Sequence, residues 1–294
     1  MKKNNCSLKN LGNPFFKLHN RIKLTSLVKV SCVSLIPLCS ILAGNGFACA
    51  AGIVSPEKTP VSVSADLPFL SASVWRGQVC NNEPVFQPSL TVEKGDFSVN
   101  IFESVYLTGI STVHAPEATE TDITFSYNRK IQSLAMTLGW AEYLYANQTI
   151  SDLSGNKTVL PGTRELFVGA GFPELPGSPS ITAFYDFKEI KGTYYTIGTK
   201  YNSSYDDGKI ILGVSGSVGY GSAAYNKGYF GINRAKFNDV TLGVTASVAA
   251  ADNLRVVSQV QYVTFPDSDI KNAAKSWYKD NQQVVYSLKL SYSL

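Results

Sequence analysis

Charge is scarce in this sequence. Only 16% of its 294 residues are charged, where an ordinary soluble domain carries about 25%. Met (2), Trp (3) and His (2) are rare, while Tyr (16) and Phe (15) are abundant. The low charge argues against a conventional soluble domain. The 44% hydrophobic content and small net charge exclude a disordered chain. With so few His and Cys residues, no metal site and no cofactor is expected.

Long hydrophobic runs are missing too. The uncharged, largely apolar stretch Val30–Ala43 is too short to span a bilayer as a helix. It follows seven basic residues (Lys2, Lys3, Lys9, Lys17, Arg21, Lys23, Lys29) with no acid, and precedes Ala48-Cys49-Ala50. A basic head, an apolar run and small residues at −3 and −1 predict a secretory signal peptide, residues 1–50, cut after Ala50. The head is long for a signal, which points to a start codon further downstream. Cys39 and Cys49 sit in poor lipobox contexts. Without this segment the formal charge of +4 becomes −3, so the body lacks the basic surface that nucleic acid requires. Cys80 is the single cysteine after Cys49, which excludes an intrachain disulfide.

What remains is alternation. Residues 51–68 read as a flexible N-terminal lead. From residue 69 onward, period-two segments recur with turn residues between them. Ile123, Phe125 and Tyr127 oppose Asp122, Thr124, Ser126 and Asn128; Val240, Leu242, Val244, Ala246 and Val248 oppose Thr241, Gly243, Thr245 and Ser247. Such segments present one apolar and one small or polar face. About twelve are predicted: 69–76, 84–93, 96–107, 120–129, 132–144, 163–171, 179–188, 192–202, 208–219, 237–250, 254–265 and 283–294. Their lengths suit strands that cross a membrane at a tilt. No amphipathic helix competes with them.

The connections alternate in length. One set (77–83, 108–119, 145–162, 189–191, 220–236, 266–282) is long apart from 189–191, and the other (94–95, 130–131, 172–178, 203–207, 251–253) is short. An even strand count with tight turns at one end and long loops at the other is expected of an outer-membrane barrel. Alternation holds mean hydropathy at −0.00, as closed barrels in lipid allow. Tyr143, Tyr145, Tyr185, Phe187, Tyr194, Tyr195, Tyr201 and Tyr220 are candidates for interfacial girdles. The last segment alternates through Val284, Tyr286, Leu288, Leu290, Tyr292 and Leu294. It looks like the C-terminal signal read by the barrel-insertion machinery, with Leu294 in place of the usual aromatic. The predicted fold is therefore all-β: a transmembrane antiparallel up-and-down barrel over residues 69–294, in the bacterial outer membrane and in contact with its lipid.

Several phrases resemble the TorF-like family of bacterial outer-membrane porins. They are Val74-Trp75-Arg76-Gly77; Pro84 to Leu90; Gly95 to Asn100; Glu120-Thr121-Asp122; Thr163-Arg164-Glu165; and Tyr185-Asp186 before Lys191-Gly192. The resemblance spans about 69–294. It implies a barrel with a pore role, no catalytic residues, a first strand ending on aromatic-Arg-Gly and a second opening on Pro-x-x-Gln.

Parity assigns candidate lumen residues: Asp122, Glu165, Asp186 and Lys188 near the outer rim; Gln87, Gln259, Gln261 and Lys289 near mid-depth; Lys200 nearer the periplasm. Charges there would tune ion selectivity, or pair and plug a small barrel. Glu103 shares parity with apolar residues, and a bulge at Phe102 is expected to turn it inward. The first reading is a channel for small solutes of unspecified kind. Alternatives are a non-conducting barrel that adheres through loops 145–162, 220–236 and 266–282, with Trp277 and Tyr278 exposed; a surface hydrolase built on His114 beside Ser111 and Thr112; and a soluble β domain. His114 lacks an orienting acid and an oxyanion motif, so no catalytic residues are assigned. The strand glycines form no nucleotide loop, and the sequons at Asn147, Asn156 and Asn202 are coincidental.

Overall fold

A computed structural model describes residues 60–107, 117–145, 149–151, 157–159 and 161–294. The expected signal peptide, its cut site and His114 lie outside these residues. The strands are β1 (Val61–Leu70), β2 (Ser73–Trp75), β3 (Gln78–Asn81), β4 (Val85–Phe86), β5 (Ser89–Lys94), β6 (Phe97–Tyr106), β7 (Glu117–Ile131), β8 (Leu134–Leu144), β9 (Thr149–Ser151), β10 (Lys157–Val159), β11 (Thr163–Gly171), β12 (Ser180–Asp186), β13 (Thr193–Tyr205), β14 (Ile210–Gly221), β15 (Lys236–Ala251), β16 (Leu254–Thr264) and β17 (Gln282–Ser293). Two helices, α1 (Ala223–Phe230) and α2 (Ser268–Trp277), lie in the β14–β15 and β16–β17 connections.

Twelve antiparallel strands close a barrel in chain order, β4 and β5 being two halves of one strand. Closure is made by β17 on β1, with Phe69 opposite Leu288 and Leu67 opposite Leu290. The break between β4 and β5 falls at Gln87-Pro88. There the Gln87 N–H donates to Pro68 O and the Glu103 N–H to Pro88 O, so the ladder continues past prolines that cannot donate. β2–β3 and β9–β10 are separate hairpins at the long-loop end.

The faces are inverted relative to a soluble protein. Leu138, Val168, Ile197, Val214, Val244, Tyr286 and Leu288 all point outward and are more than half exposed. Monomeric soluble proteins rarely expose a contiguous apolar surface of this extent, and such a belt marks a membrane or partner surface. Aromatics flank it: Tyr195, Tyr220 and Phe237 adjoin one another at the long-loop side, Phe97 and Tyr127 at the short-turn side. Above the belt, outward Arg164 pairs with Glu142 at 2.8 Å.

Five expectations are corrected. The first barrel strand is 61–70, not 69–76. Val61, Val63, Ala65, Leu67 and Phe69 do alternate, but Pro60 and Pro68 disguise them as a lead. Trp75-Arg76-Gly77 therefore ends no wall strand; it is the tip of the β2–β3 hairpin. Glu103 stays on the outward face: the bulge falls between Ser104 and Val105, and Phe102 points inward, 4% exposed. Thr121 Oγ1 donates to Glu103 Oε2 (3.2 Å); the pair lies two residues along β7 from Ile123, which faces Glu142 in the ladder, so the acid sits at the polar upper rim. Finally, the loops at 220–236 and 266–282 hold helices. Ser222 caps α1 through the Tyr225 N–H (3.3 Å), and Asp267 caps α2 through the Asp269 and Ile270 N–H groups. Tyr278 is not a free contact: its hydroxyl donates to Tyr229 O (2.8 Å) and its ring packs on Phe230.

Candidate functional site

The segment between β1 and β4 turns into the lumen instead of arching over it. Its tip is the two-residue turn Arg76-Gly77, both with positive φ (44° and 82°), the type I′ geometry that suits a tight hairpin. Gly77 satisfies the turn and also lies against the far wall. A Cβ there would stand 2.7 Å from both the Asp239 Cβ and the Phe265 ring. Arginine in the left-handed region costs about 1–2 kcal/mol, so its side chain has to justify the position.

It does so by placing its guanidinium in a buried cage. Arg76 donates from Nη1 to Glu165 Oε1 (2.9 Å) and from Nη2 to Glu165 Oε2 (2.8 Å). Its Cζ lies 4.5 Å from the centroid of the Trp75 ring and 4.4 Å from those of Phe184 and Tyr194. Tyr143 Oη donates to Glu165 Oε2 (3.0 Å), and Tyr194 Oη to Asp239 Oδ1 (2.8 Å). A bidentate, ring-stacked arrangement requires the planar guanidinium; lysine would lose both features.

The hairpin is tied to the surrounding wall. Gln87 Nε2 donates to Ser73 Oγ and Ser104 Oγ, both at 3.2 Å. The Ser71 N–H donates to Tyr286 O and the Lys279 N–H to Val79 O. Gln78 Nε2 reaches the Tyr225 hydroxyl of α1 (3.3 Å). Inward Phe102, Tyr106, Phe167, Phe184 and Tyr194 fill the space around it, and Val79 and Cys80 are buried. Among the described residues, the hydrophobic core cluster is thus inside the barrel, at its long-loop end.

The short-turn half is different. Ser215 points inward yet is exposed, so the lumen there is open to solvent. Its neighbours are small or polar: Gly243, Thr245, Gln259 and Gln261. Lys289 Nζ pairs with Asp66 (3.0 Å) across the closing seam.

The expected lumen residues divide accordingly. Asp122 and Glu165 face inward and are buried in the plug region. Asp186 is fully buried and accepts from Thr163 Oγ1 and the N–H groups of Lys188, Glu189 and Ile190, so it caps a loop. Gln87 lies at the plug, not at mid-depth. Gln259, Gln261, Lys289 and Lys200 face the open half. Lys188 lies beyond the end of β12 at Asp186, where it is exposed and its Nζ donates to Gly162 O (2.5 Å). Tyr143 and Tyr194, expected in a girdle, are inward parts of the cage. The hairpin itself was missed, although Arg76-Gly77 between short apolar runs carries a turn signal.

No family profile and no curated protein matches the chain. Solved structures do. The KdgM porin aligns over 79% of this chain and 99% of its own at 12% identity and a TM-score of 0.46. A NanC porin covers 79% and 100% at 9% identity and 0.47. The outer membrane channel DcaP of Acinetobacter baumannii covers 83% and 100% at 9% identity and 0.34. The likeness is one of barrel architecture.

Proposed function

We propose that the protein is a bacterial outer-membrane barrel of the porin type whose lumen is held shut at its outer end by its own 71–84 hairpin. The observation that carries this is the reach of the plug. It is tied to Gln87 and Ser104 on one side of the barrel and to Glu165, Phe184, Tyr194 and Asp239 on the other. The outward apolar belt and its aromatic borders support the membrane location. The sorting of tight turns and long loops supports the orientation, with the short-turn end and the strand termini 61 and 293 in the periplasm. Export by a signal peptide cut near Ala50, and insertion through β17, belong to the same proposal.

In this reading small polar solutes enter the hydroxyl- and amide-lined inner half, and passage requires the hairpin to move. Of the residues on which the TorF-like resemblance rests, Trp75, Arg76, Glu120, Asp122, Glu165 and Asp186 come to the plug region, although Trp75-Arg76-Gly77 ends no wall strand, contrary to what the resemblance implies. No enzymatic role is proposed. A second reading, a permanently closed barrel for envelope structure, is favoured by the complete burial of the Arg76 cage. Planar-bilayer recording of the purified protein tests the proposal. Long closed intervals broken by brief openings are expected. A steady open level from the moment of insertion would overturn it.

A further inference from the structure

The lumen's side-chain amides fall into two groups. Those around the plug are spent on the fold: Gln78 donates to Tyr225, Gln87 to Ser73 and Ser104, Asn226 to Gly221 O and Arg234 O, and Asn238 accepts from the Gly221 N–H. In the open half Asn100 and Asn128 are spent on Thr91 and Ser126. Asn202, Gln259 and Gln261 are not: among the described residues none offers their side chains a hydrogen bond. They lie on neighbouring strands in two rows. Asn202 faces Gly213, Gly213 faces Thr245 and Thr245 faces Gln259; Ser215 faces Gly243 and Gly243 faces Gln261. The two glycines leave room for these groups. A Cβ would stand 2.5 Å from Asn202 Oδ1 at Gly213 and 2.7 Å from Ser215 Oγ at Gly243. The patch is an array of donors and acceptors turned to the lumen.

Charge in the open half is largely spent within the wall. Asp66 holds Lys289 Nζ (3.0 Å) and the Ser291 hydroxyl, and Lys130 meets Glu174 (2.7 Å). Arg255 donates to Ser247 Oγ and to the carbonyls of Gly208, Lys209 and Ser247. Glu93 and Lys200 add one charge of each sign. Among the described residues the inward rings of the wall, Phe102, Tyr106, Tyr143, Phe167, Phe184 and Tyr194, are all at the plug. Such a lining has little net field to attract or exclude ions, and no ring on which a flat apolar solute would stack. Its amides and hydroxyls both donate and accept, as sugar hydroxyls do. We propose that Asn202, Gln259 and Gln261, with Ser215 and Thr245, make the lumen a path for uncharged polyhydroxylated solutes such as small sugars, with little sorting of ions by sign. Passage along this path rests on the reading that the hairpin is what closes the barrel.

The test uses the barrel with residues 72–83 replaced by a Gly-Ser link, once a heat-dependent gel shift has shown that it folds; full-length Arg76→Ala replaces it if it does not. In a KCl gradient the potassium-to-chloride permeability ratio is expected to lie within about twofold of unity. Proteoliposomes are expected to swell in arabinose and in glucose. Q259L/Q261L in the same background should slow that swelling about fivefold relative to KCl conductance, the worth of about one hydrogen bond. Single Gln259→Leu and Gln261→Leu proteins, with smaller losses, stand in if the double variant does not fold. A permeability ratio beyond about tenfold in either direction would overturn the proposal and leave the hairpin closure standing. Sugar entry that falls only in step with KCl conductance would overturn it too, because the amides would then not be selecting. A folded plugless barrel that passes neither salt nor sugar would overturn the closure reading as well.

Discussion

Arg76 and Glu165 are 89 residues apart in sequence and meet through two parallel hydrogen bonds of 2.9 and 2.8 Å inside the barrel. Their side chains are 4% and 1% exposed, so solvent screens the pair very little. One partner sits at the strained tip of a hairpin, the other on the barrel wall. The contact is therefore a latch between plug and wall.

Breaking the latch from one side leaves a buried charge alone. Arg76→Ala is expected to cost about 3–5 kcal/mol, because Glu165 is stranded. Arg76→Ala with Glu165→Gln is expected to recover part of that loss. Urea unfolding of both variants and of Glu165→Gln closes the double-mutant cycle. Additive losses would mean that the two residues do not interact as described.

Cys80 reports on the plug. It is 2% exposed and packs within the plug core. In the native protein a maleimide is expected to label it at least about tenfold more slowly than in Arg76→Ala, since a 1.4 kcal/mol shift in opening already gives that ratio. Gly77→Ala should act in the same direction. It places a Cβ against Asp239 and Phe265 at a residue with φ of 82°. Equal labelling of all three proteins would show that the hairpin is not held by these contacts.

The belt predicts an asymmetry between neighbouring residues. Val214 faces outward at 54% exposure, while Ser215 faces the lumen. Val214→Arg is expected to cost about 2–4 kcal/mol when placed near the bilayer midplane. Ser215→Arg should cost far less. Unfolding in lipid vesicles measures both, and equal costs would contradict the assignment of faces.

Asp267 caps α2 and accepts from Lys236 Nζ (2.7 Å). Partial burial opposes its ionisation. The Lys236 hydrogen bond and the backbone N–H groups of Ile270 and Asp269 outweigh this and hold its pKa below the ordinary value. A depressed carboxyl stabilises the folded state above its unfolded pKa, and the benefit is lost as pH falls through the folded one. Asp267→Ala should therefore destabilise the long-loop cap by about 1 kcal/mol at neutral pH, with the difference starting to shrink as pH falls below about 4 and vanishing only below the depressed folded pKa. Hydrogen exchange of the α2 amides is the measurement.

The wall was largely legible in the sequence, because period two is a property of each strand by itself. Loop lengths separated a tight-turn end from a long-loop end. The interior was less legible, because the inward face mixes two environments that alternation cannot separate. Tyr143 and Tyr185 look alike in sequence, yet parity buries one in the cage and leaves the other facing out. The Arg76–Glu165 latch depends on which strands become neighbours across the lumen, and period two says nothing of that. The β1 strand was hidden by Pro60 and Pro68, which closure on β17 tolerates. The α2 helix left a trace in Pro266-Asp267-Ser268-Asp269, a capping signal outweighed by its setting in a long loop.

The most direct test of the account replaces residues 72–83 with a short Gly-Ser link and compares single-channel conductance with wild type. A heat-dependent gel shift must first show that the barrel still folds. The variant is expected to give steady, long-lived conductance steps where wild type is mostly silent. A folded variant that stays as silent as wild type would contradict the claim that the hairpin is what closes the lumen.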